Sequence, residues 1–358
     1  MYGSRPADDR PDSRRRHLPA GLVLALSVML ASSFQGCRER PDAAGQRAVK
    51  LKVVYFPYMS FAPLLIAQEE GYFAEQNIEI EFISLTKSAH GLPSLVQGKL
   101  DVLAGTLTAG LLNSIAQGAY VRIVAGKGHV TRGPRPYTAM LVGKQLAEQG
   151  ALSEPARLRG KRLLGSQDNT AGYFADLALR KLRLGPEDVE LSYAPAAARF
   201  GAAEQGVMDL AVMAEPWVTR TVEGGYGTTL VSDFEVMPDG QIACVLFGPS
   251  LLVENPEAGR RFMVAYLKGV RQYSLGKTER NLALLAKCTR LDPELLSKAH
   301  WVPCHEDGSI NVQSVVDFQG WAAEKGLVDR IITPQEFWDP SFAEYACEVL
   351  DEATEETE

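Results

Sequence analysis

Short apolar runs that favour β-strands alternate with helical patterns along most of the chain, and this alternation limits the folds open to it. Predicted strands lie at 51–56, 78–83, 101–104 and 121–125. Predicted helices lie between them at 60–71, 88–96 and 108–116. Ser60 can cap the first helix, with Pro63 in its first turn, and Gly71 ends it. The order predicts a parallel sheet whose crossovers are right-handed.

A second set of alternating elements begins near residue 137. Its predicted strands are 138–142, 162–165, 189–193 and 210–213, with helices at 172–182 and 196–205, a third helix at 216–223, and a returning strand at 229–231. Another apolar run at 242–247 is followed by predicted helices at 257–274, 278–287, 292–299, 312–325 and 334–338. We therefore predict two doubly wound α/β lobes and a helical C-terminal part. The chain leaves the first lobe near residue 135 and returns near residue 235.

The first 36 residues are typical of an export signal. A basic stretch ending at Arg16 precedes an apolar run at 18–31, which is shorter than the ~20 residues needed to span a bilayer. Small residues and Cys37 follow, as in a lipoprotein signal whose cysteine is lipidated. Cleavage among the small residues at 31–33 is the alternative. Residues 37–50 are predicted to be a tether, which places the protein in the periplasm or at the cell surface, anchored to the membrane by a lipid on Cys37.

Charge and cysteine content exclude some classes of protein. The net charge is −7, whereas a nucleic-acid partner would require a basic face. Five cysteines are too few for a disulfide scaffold in a chain of 358 residues. Residues 349–358 are predicted to be a solvated acidic tail.

Four segments, in order, resemble type II periplasmic solute-binding proteins of ABC importers. The opening strand at 52–56 and the helix APLLIAQEEGYFAEQ at 62–76 are similar to the family's first βα unit. The Gly-x-x-Asp step from Gly98 to Asp101 recurs from Gly206 to Asp209, and LRGKR at 158–162 is similar to the step into the second lobe. The branch that matches serves aliphatic sulfonates, taurine, nitrate and thiamine-pyrimidine precursors.

The resemblance implies a fold, a function and partners. The fold is two α/β lobes joined by a two-crossing hinge, with 51–135 as the first part of lobe 1, 136–234 as lobe 2, and 235–348 as the rest of lobe 1 and the C-terminal helices. The function is capture of a small organic solute (sulfonate, taurine, nitrate or pyrimidine type) by lobe closure. An ABC permease and its ATPase are the implied partners.

The expected ligand site lies beyond the carboxyl ends of the strands, where ligands bind in open parallel sheets. The candidate ligand-binding residues are Tyr58, Ser60, Phe61, Gly105, Thr106, Thr108, His129, Asn169, Thr170, Tyr173, Glu215 and Trp217. Ser60, Thr108 and Thr170 begin helices, whose free N–H groups hold anions. Ordinary N-capping is the alternative.

The aromatic and acidic candidates each have an alternative role. Tyr58, Tyr173 and Trp217 can stack on a ligand or belong to the core. Glu215, if it faces the cleft, would repel an anion and favour an aminopyrimidine or a zwitterion. Lys127 or His129 would offset that charge.

Other chemistry has little support in the sequence. Cys288, His300, Cys304 and His305 match no usual metal-ligand spacing, and Cys288 and Cys304 can instead form a disulfide. We predict no cofactor, no metal site and no catalysis. Two alternatives stay open: an enzyme of the same fold, such as a thiamine-pyrimidine synthase, or a secreted solute sensor without a transporter.

Overall fold

A computed structural model describes residues 48–85 and 88–355. The predicted signal at 1–36, the lipidation site Cys37 and the tether up to residue 47 lie outside the described residues. None of the helices in these two stretches has the length and apolar character required to cross a membrane.

Two five-stranded sheets organise the described part of the chain. The first contains β1 Val49–Tyr55, β2 Ile78–Ser84, β3 Val102–Gly105, β4 Arg122–Gly126 and β10 Cys244–Phe247, in the order β2-β1-β3-β10-β4. The second contains β5 Thr138–Gly143, β6 Arg162–Gly165, β7 Glu190–Tyr193, β8 Leu210–Ala214 and β9 Gly227–Ser232, in the order β7-β6-β8-β5-β9. Each sheet is the centre of one α/β lobe.

The four strands predicted between residues 51 and 125 run parallel to one another, as expected, and β10 is the exception in this sheet. β10 lies between β3 and β4 and is antiparallel to both, with Val245 opposite Ala104 and Ala125. The reason is that the chain re-enters this sheet from the second lobe and so arrives at the opposite end of the strands. In the second sheet, β5 is the corresponding antiparallel strand, paired with β8 and β9.

Helices cover both sheets and form the C-terminal part. They are α1 Ala62–Glu69, α2 Tyr72–Glu75, α3 Ser88–Val96, α4 Ala109–Ala116, α5 Lys144–Leu146, α6 Thr170–Lys181, α7 Ala196–Glu204, α8 Trp217–Glu223, α9 Asp233–Val236, α10 Pro256–Ser274, α11 Glu279–Thr289, α12 Pro293–Lys298, α13 Val312–Glu324, α14 Pro334–Phe337 and α15 Ser341–Glu355. Most lie within a few residues of the predicted helices.

Helix α15 was not predicted. Phe342 and Ala346 are buried in the first lobe's core, and the Phe342 ring packs edge-on against Phe247 of β10 at 5.2 Å. Part of the predicted acidic tail is therefore helical. Its side chains at Asp351 and Glu352 are exposed, and Asp351 accepts a hydrogen bond from Arg271.

Two chain segments connect the lobes, and they pair with each other. Residues 127–130 leave β4, and residues 239–243 lead back to β10. The Lys127 N–H donates to the Ala243 carbonyl (2.8 Å), the Val130 N–H donates to the Gly240 carbonyl (2.8 Å), and His129 lies opposite Gln241. The hinge is thus a short antiparallel ladder with two crossings.

Candidate functional site

A cavity of about 130 Å³ lies where the carboxyl ends of strands from both sheets meet. Eight of the predicted ligand-binding residues line it: Tyr58, Ser60, Phe61, Gly105, Thr106, Thr108, Asn169 and Thr170. This is the location expected for a ligand in an open α/β sheet. Their role in binding stays a prediction, because lining a cavity is a geometric property only.

The lobes touch at the rim of this cavity through backbone atoms. The Ala109 N–H donates to the Asp168 carbonyl (2.8 Å), and the Thr170 N–H donates to the Leu107 carbonyl (3.2 Å). These bonds join the N-terminal ends of α4 and α6. The cavity is consequently bounded by both lobes at once.

Helix capping differs from the prediction at two of three positions. Thr108 does cap α4, because its hydroxyl accepts the Leu111 N–H at 3.0 Å. Asn169, not Thr170, caps α6 by accepting from Ala171 and Gly172. Ser60 does not cap α1, because it lies in the preceding 3₁₀ turn Met59–Phe61.

Ser60 instead holds Lys127, the most deeply buried cation of the cavity wall. The Lys127 ammonium donates to the Ser60 hydroxyl at 2.9 Å and lies 3.6 Å from the centre of the Phe61 ring. Only 1% of its surface is exposed, and burial lowers its pKa to about 7. Among the described residues, no carboxylate forms an ion pair with it. The nearby thiols Cys244 and Cys304 stay protonated, since burial raises the pKa of each to about 12.

Arg199 is a second buried cation in the wall and was missed by the sequence analysis. It lies in the first turn of α7 and is 7% exposed. Its guanidinium donates to the carbonyls of Ala194 and Val212, each at 2.6 Å, and it has no carboxylate partner within the described ranges. The sequence pattern marks the loops at strand ends, whereas Arg199 reaches the cavity from a helix.

Asp233 is the buried acid of the cavity wall. Its carboxylate accepts the N–H groups of Thr138 (2.7 Å) and Phe234 (2.9 Å). Burial raises its pKa to about 6, so it is mostly ionised at pH 7. Because its hydrogen bonds are to the backbone of its own lobe, it does not neutralise Lys127 or Arg199 directly. Asp168, the other acid in the wall, is exposed to solvent.

Four predicted ligand-binding residues lie outside the cavity. Tyr173 packs against Phe318 and Trp321, with ring centres 6.2 and 5.5 Å apart. Trp217 lies beside Phe200 in the second lobe's core, at 5.6 Å. Both aromatic residues therefore have the core role that the sequence left open.

Glu215 and His129 are the other two. The Glu215 carboxylate accepts from the N–H and hydroxyl of Thr219 and from the His300 N–H. It is fully buried, and its burial raises its pKa to about 7. It therefore does not line the cavity. His129 points away from the cavity and hydrogen bonds to Asp239.

The four cysteines within the described stretches are not paired. Cys288 and Cys304 are free thiols, so the disulfide considered from the sequence is not formed. His305 is not clustered with either of them but with His129 and Asp239.

A family comparison covers most of the fold just described. The model of the NMT1-like family matches residues 44–288, which include both sheets, the hinge and the whole cavity wall. The chain belongs to the NMT1-like family.

Relatives of this NMT1-like protein are distant in sequence. The bicarbonate transport ATP-binding protein CmpC of Synechocystis is 26% identical over 209 residues, which is 54% of this chain and 30% of CmpC. The chain thus spans less than a third of the length of the curated relatives it matches.

Solved structures show the same fold. The periplasmic nitrate-binding protein NrtA from Synechocystis has a TM-score of 0.69 at 16% identity, covering 85% of this chain and 89% of NrtA. The periplasmic aliphatic sulphonate binding protein SsuA from Escherichia coli has a TM-score of 0.62 at 17% identity, covering 82% of this chain and 99% of SsuA. The periplasmic-binding-protein fold expected from the sequence is confirmed.

Proposed function

We propose that this NMT1-like protein is the solute-binding subunit of an ABC importer and that its solute is a small organic anion. The observation that carries the proposal is the pair of buried cations, Lys127 and Arg199, on the wall of one cavity. Burying a charge without a partner costs several kcal/mol, roughly, so such groups usually have a bound counterion in their working state. An anionic solute supplies that counterion.

The other residues of the cavity wall are suited to the apolar part of an organic solute. Aromatic rings from both lobes surround the cations, among them Tyr58, Phe61 and Phe174. A dry apolar cavity of about 150 Å³ accommodates a benzene ring. A cavity of about 130 Å³ therefore fits a solute of roughly one ring or a short alkyl chain.

The names of the related proteins support a negatively charged solute. They refer to bicarbonate, nitrate and aliphatic sulphonate, which are all anions. The aminopyrimidine alternative depended on Glu215 facing the solute, and this carboxylate is instead satisfied by Thr219 and His300. We therefore favour a sulfonate-like solute over a thiamine precursor.

The proposal extends to location and partners. The predicted export signal at 1–36 would direct the chain out of the cytoplasm, and the lipid on Cys37 would hold it at a membrane surface. There it would deliver the unchanged solute to a permease that an ATPase drives. A soluble sensor would bind the same solute without these two partners.

A ligand screen tests the proposal. The purified protein is titrated with alkanesulfonates, taurine, nitrate, bicarbonate and a neutral aminopyrimidine, and its unfolding temperature is measured. A ligand that binds only the folded state raises that temperature, and the rise grows with the logarithm of the ligand concentration above Kd. We expect the rise with an organic anion and not with the pyrimidine.

Matched variants identify the site. Lys127→Met removes the buried charge at nearly constant volume, and Lys99→Met removes an exposed lysine outside the cavity. We expect the first variant to lose the anion response and the second to keep it. Equal responses in both, or chemical conversion of the bound solute by the purified protein, would overturn the proposal.

A further inference from the structure

Three metal-binding side chains meet on the hinge, outside the cavity. His129 lies on the first crossing segment, Asp239 on the second, and His305 on the segment that precedes α13. One ligand atom from each lies within 4.8 Å of the others. The His129 and His305 rings are stacked, with centres 4.1 Å apart and planes tilted by 15°.

The geometry is close to that of a mononuclear metal site. Nδ1 of His129 lies 2.9 Å from Oδ1 of Asp239. Two ligands on one tetrahedral zinc ion lie about 3.3 Å apart, because each bond is about 2.0–2.1 Å long. Because an imidazole nitrogen binds a metal in the plane of its ring, the two stacked rings would have to rotate apart for all three donors to reach one ion. Two imidazoles and one carboxylate are a donor set that borderline divalent metals such as Zn²⁺ accept.

Neighbouring groups orient the Asp239 carboxylate and hold the backbone segments of the two histidines together. The Asn311 side-chain amide donates to Oδ2 of Asp239 at 2.9 Å and also to its carbonyl at 2.9 Å. The His129 N–H donates to the Pro303 carbonyl at 3.1 Å, which keeps the segment carrying His305 beside the first crossing. Such outer hydrogen bonds orient ligands in metal sites. His129 is mostly buried, with 14% of its side chain exposed, whereas Asp239 is 61% exposed and leaves the ion a route from solvent.

We propose that His129, Asp239 and His305 bind a divalent transition-metal ion of the zinc type. The ion would connect both hinge crossings to the C-terminal part of the chain. The two crossing segments are the covalent links between the lobes. An ion that binds both of them would therefore stabilise their pairing. The proposal does not depend on the identity of the solute.

Zinc titration of the metal-free protein tests this site. The protein is treated with EDTA, desalted and titrated with Zn²⁺ by calorimetry, alongside His305→Ala, Asp239→Asn and the control His90→Ala, which changes an exposed histidine of α3. We expect one ion per chain, and affinity at least tenfold weaker in each site variant. His90→Ala should match the unsubstituted protein. Equal affinity in all four proteins, or no binding, would overturn the site.

A spectroscopic measurement separates coordination from an effect on folding. Co²⁺ bound by imidazole and carboxylate absorbs visible light, and the band reports the ligands directly. We expect this band in the unsubstituted protein and in His90→Ala, and its loss in His305→Ala while far-ultraviolet circular dichroism stays the same. A band of unchanged shape and intensity in folded His305→Ala would show that His305 is not a ligand.

Discussion

Burial of Lys127 lowers the stability of the folded protein, and the same side chain is proposed to bind the solute. A lysine buried at the end of β4 with a hydroxyl and an aromatic ring as its neighbours is less stable than an apolar side chain in the same space. We expect Lys127→Met to increase the free energy of unfolding of the solute-free protein by roughly 1–3 kcal/mol. Chemical denaturation measures this. A variant that is less stable would indicate that Lys127 is held by a counter-charge within the protein.

Glu215 gives a pH-dependent contribution to stability with a defined sign. Its pKa in the folded protein is about 7, above the ordinary 4.5, because burial disfavours the charged form. Its stabilising contribution is therefore fully present below pH 4.5 and is lost as the pH rises through 7.

The comparison with Glu215→Gln isolates this effect, since glutamine does not titrate. We expect the difference in unfolding free energy, unsubstituted protein minus variant, to fall by about 2–3 kcal/mol between pH 4.5 and pH 7.5. Urea unfolding at several pH values provides the measurement. A difference that stays constant across this range would contradict the assignment.

The candidate site was only partly predictable at the level of residues. Strand ends could be located from local pattern, so Tyr58, Thr106 and Asn169 were found. Arg199 and Glu215 could not be assigned in the same way, because the direction of each side chain depends on packing between distant elements. Glu215 follows a strand end but turns back to Thr219 and His300, and this contact joins residues 85 positions apart.

At the level of elements, local signals predicted most boundaries but did not give the place of every strand in its sheet. The bounds of α3 and β6 agree with the prediction. The apolar run containing β10 was also recognised, but its place between β3 and β4 depends on the chain's return from the other lobe. No periodicity within a short strand carries that information.

Two variants of Asn169, the residue before α6, distinguish helix capping from solute binding. Asn169→Ala removes the two hydrogen bonds to Ala171 and Gly172, and we expect a loss of about 1 kcal/mol in stability. Asn169→Asp keeps the cap but places a negative charge at the cavity wall. We expect that variant to retain stability and to bind the anionic solute more weakly.

Thr278→Ala is the matched control, because Thr278 caps α11 away from the cavity and accepts the Asn281 N–H at 3.2 Å. It should lose stability without changing solute affinity. Denaturation and solute titration of the three variants provide both quantities. Equal solute affinity in Asn169→Asp and the unsubstituted protein would remove Asn169 from the proposed site.

On the scale of the whole molecule, several contacts within the described residues join the lobes. The hinge ladder is one, and the backbone hydrogen bonds from Ala109 to Asp168 and from Thr170 to Leu107 at the cavity rim are another. Glu215 of the second lobe accepts the N–H groups of Met59 and His300. A further contact is that of α6 with α13. There Tyr173 packs against Trp321, and Lys325 donates to Asp176 at 2.8 Å. Tyr173 contacts the hydrophobic cores of both lobes. We infer that Tyr173 stabilises the arrangement in which the lobes touch, from a position outside the cavity wall.

Truncation of Tyr173 should therefore shift the molecule toward an open form. We expect Tyr173→Ala to increase the radius of gyration measured by X-ray scattering and to weaken solute binding about tenfold, which corresponds to about 1.4 kcal/mol. Every ligand of the screen should lose affinity by the same factor, since closure precedes or accompanies each binding event equally. Tyr226→Ala is the control, because Tyr226 packs against Phe200 within one lobe. If Tyr173→Ala instead changed the order of ligand affinities at constant radius of gyration, Tyr173 would be a ligand contact, as first predicted, and not a contact between the lobes.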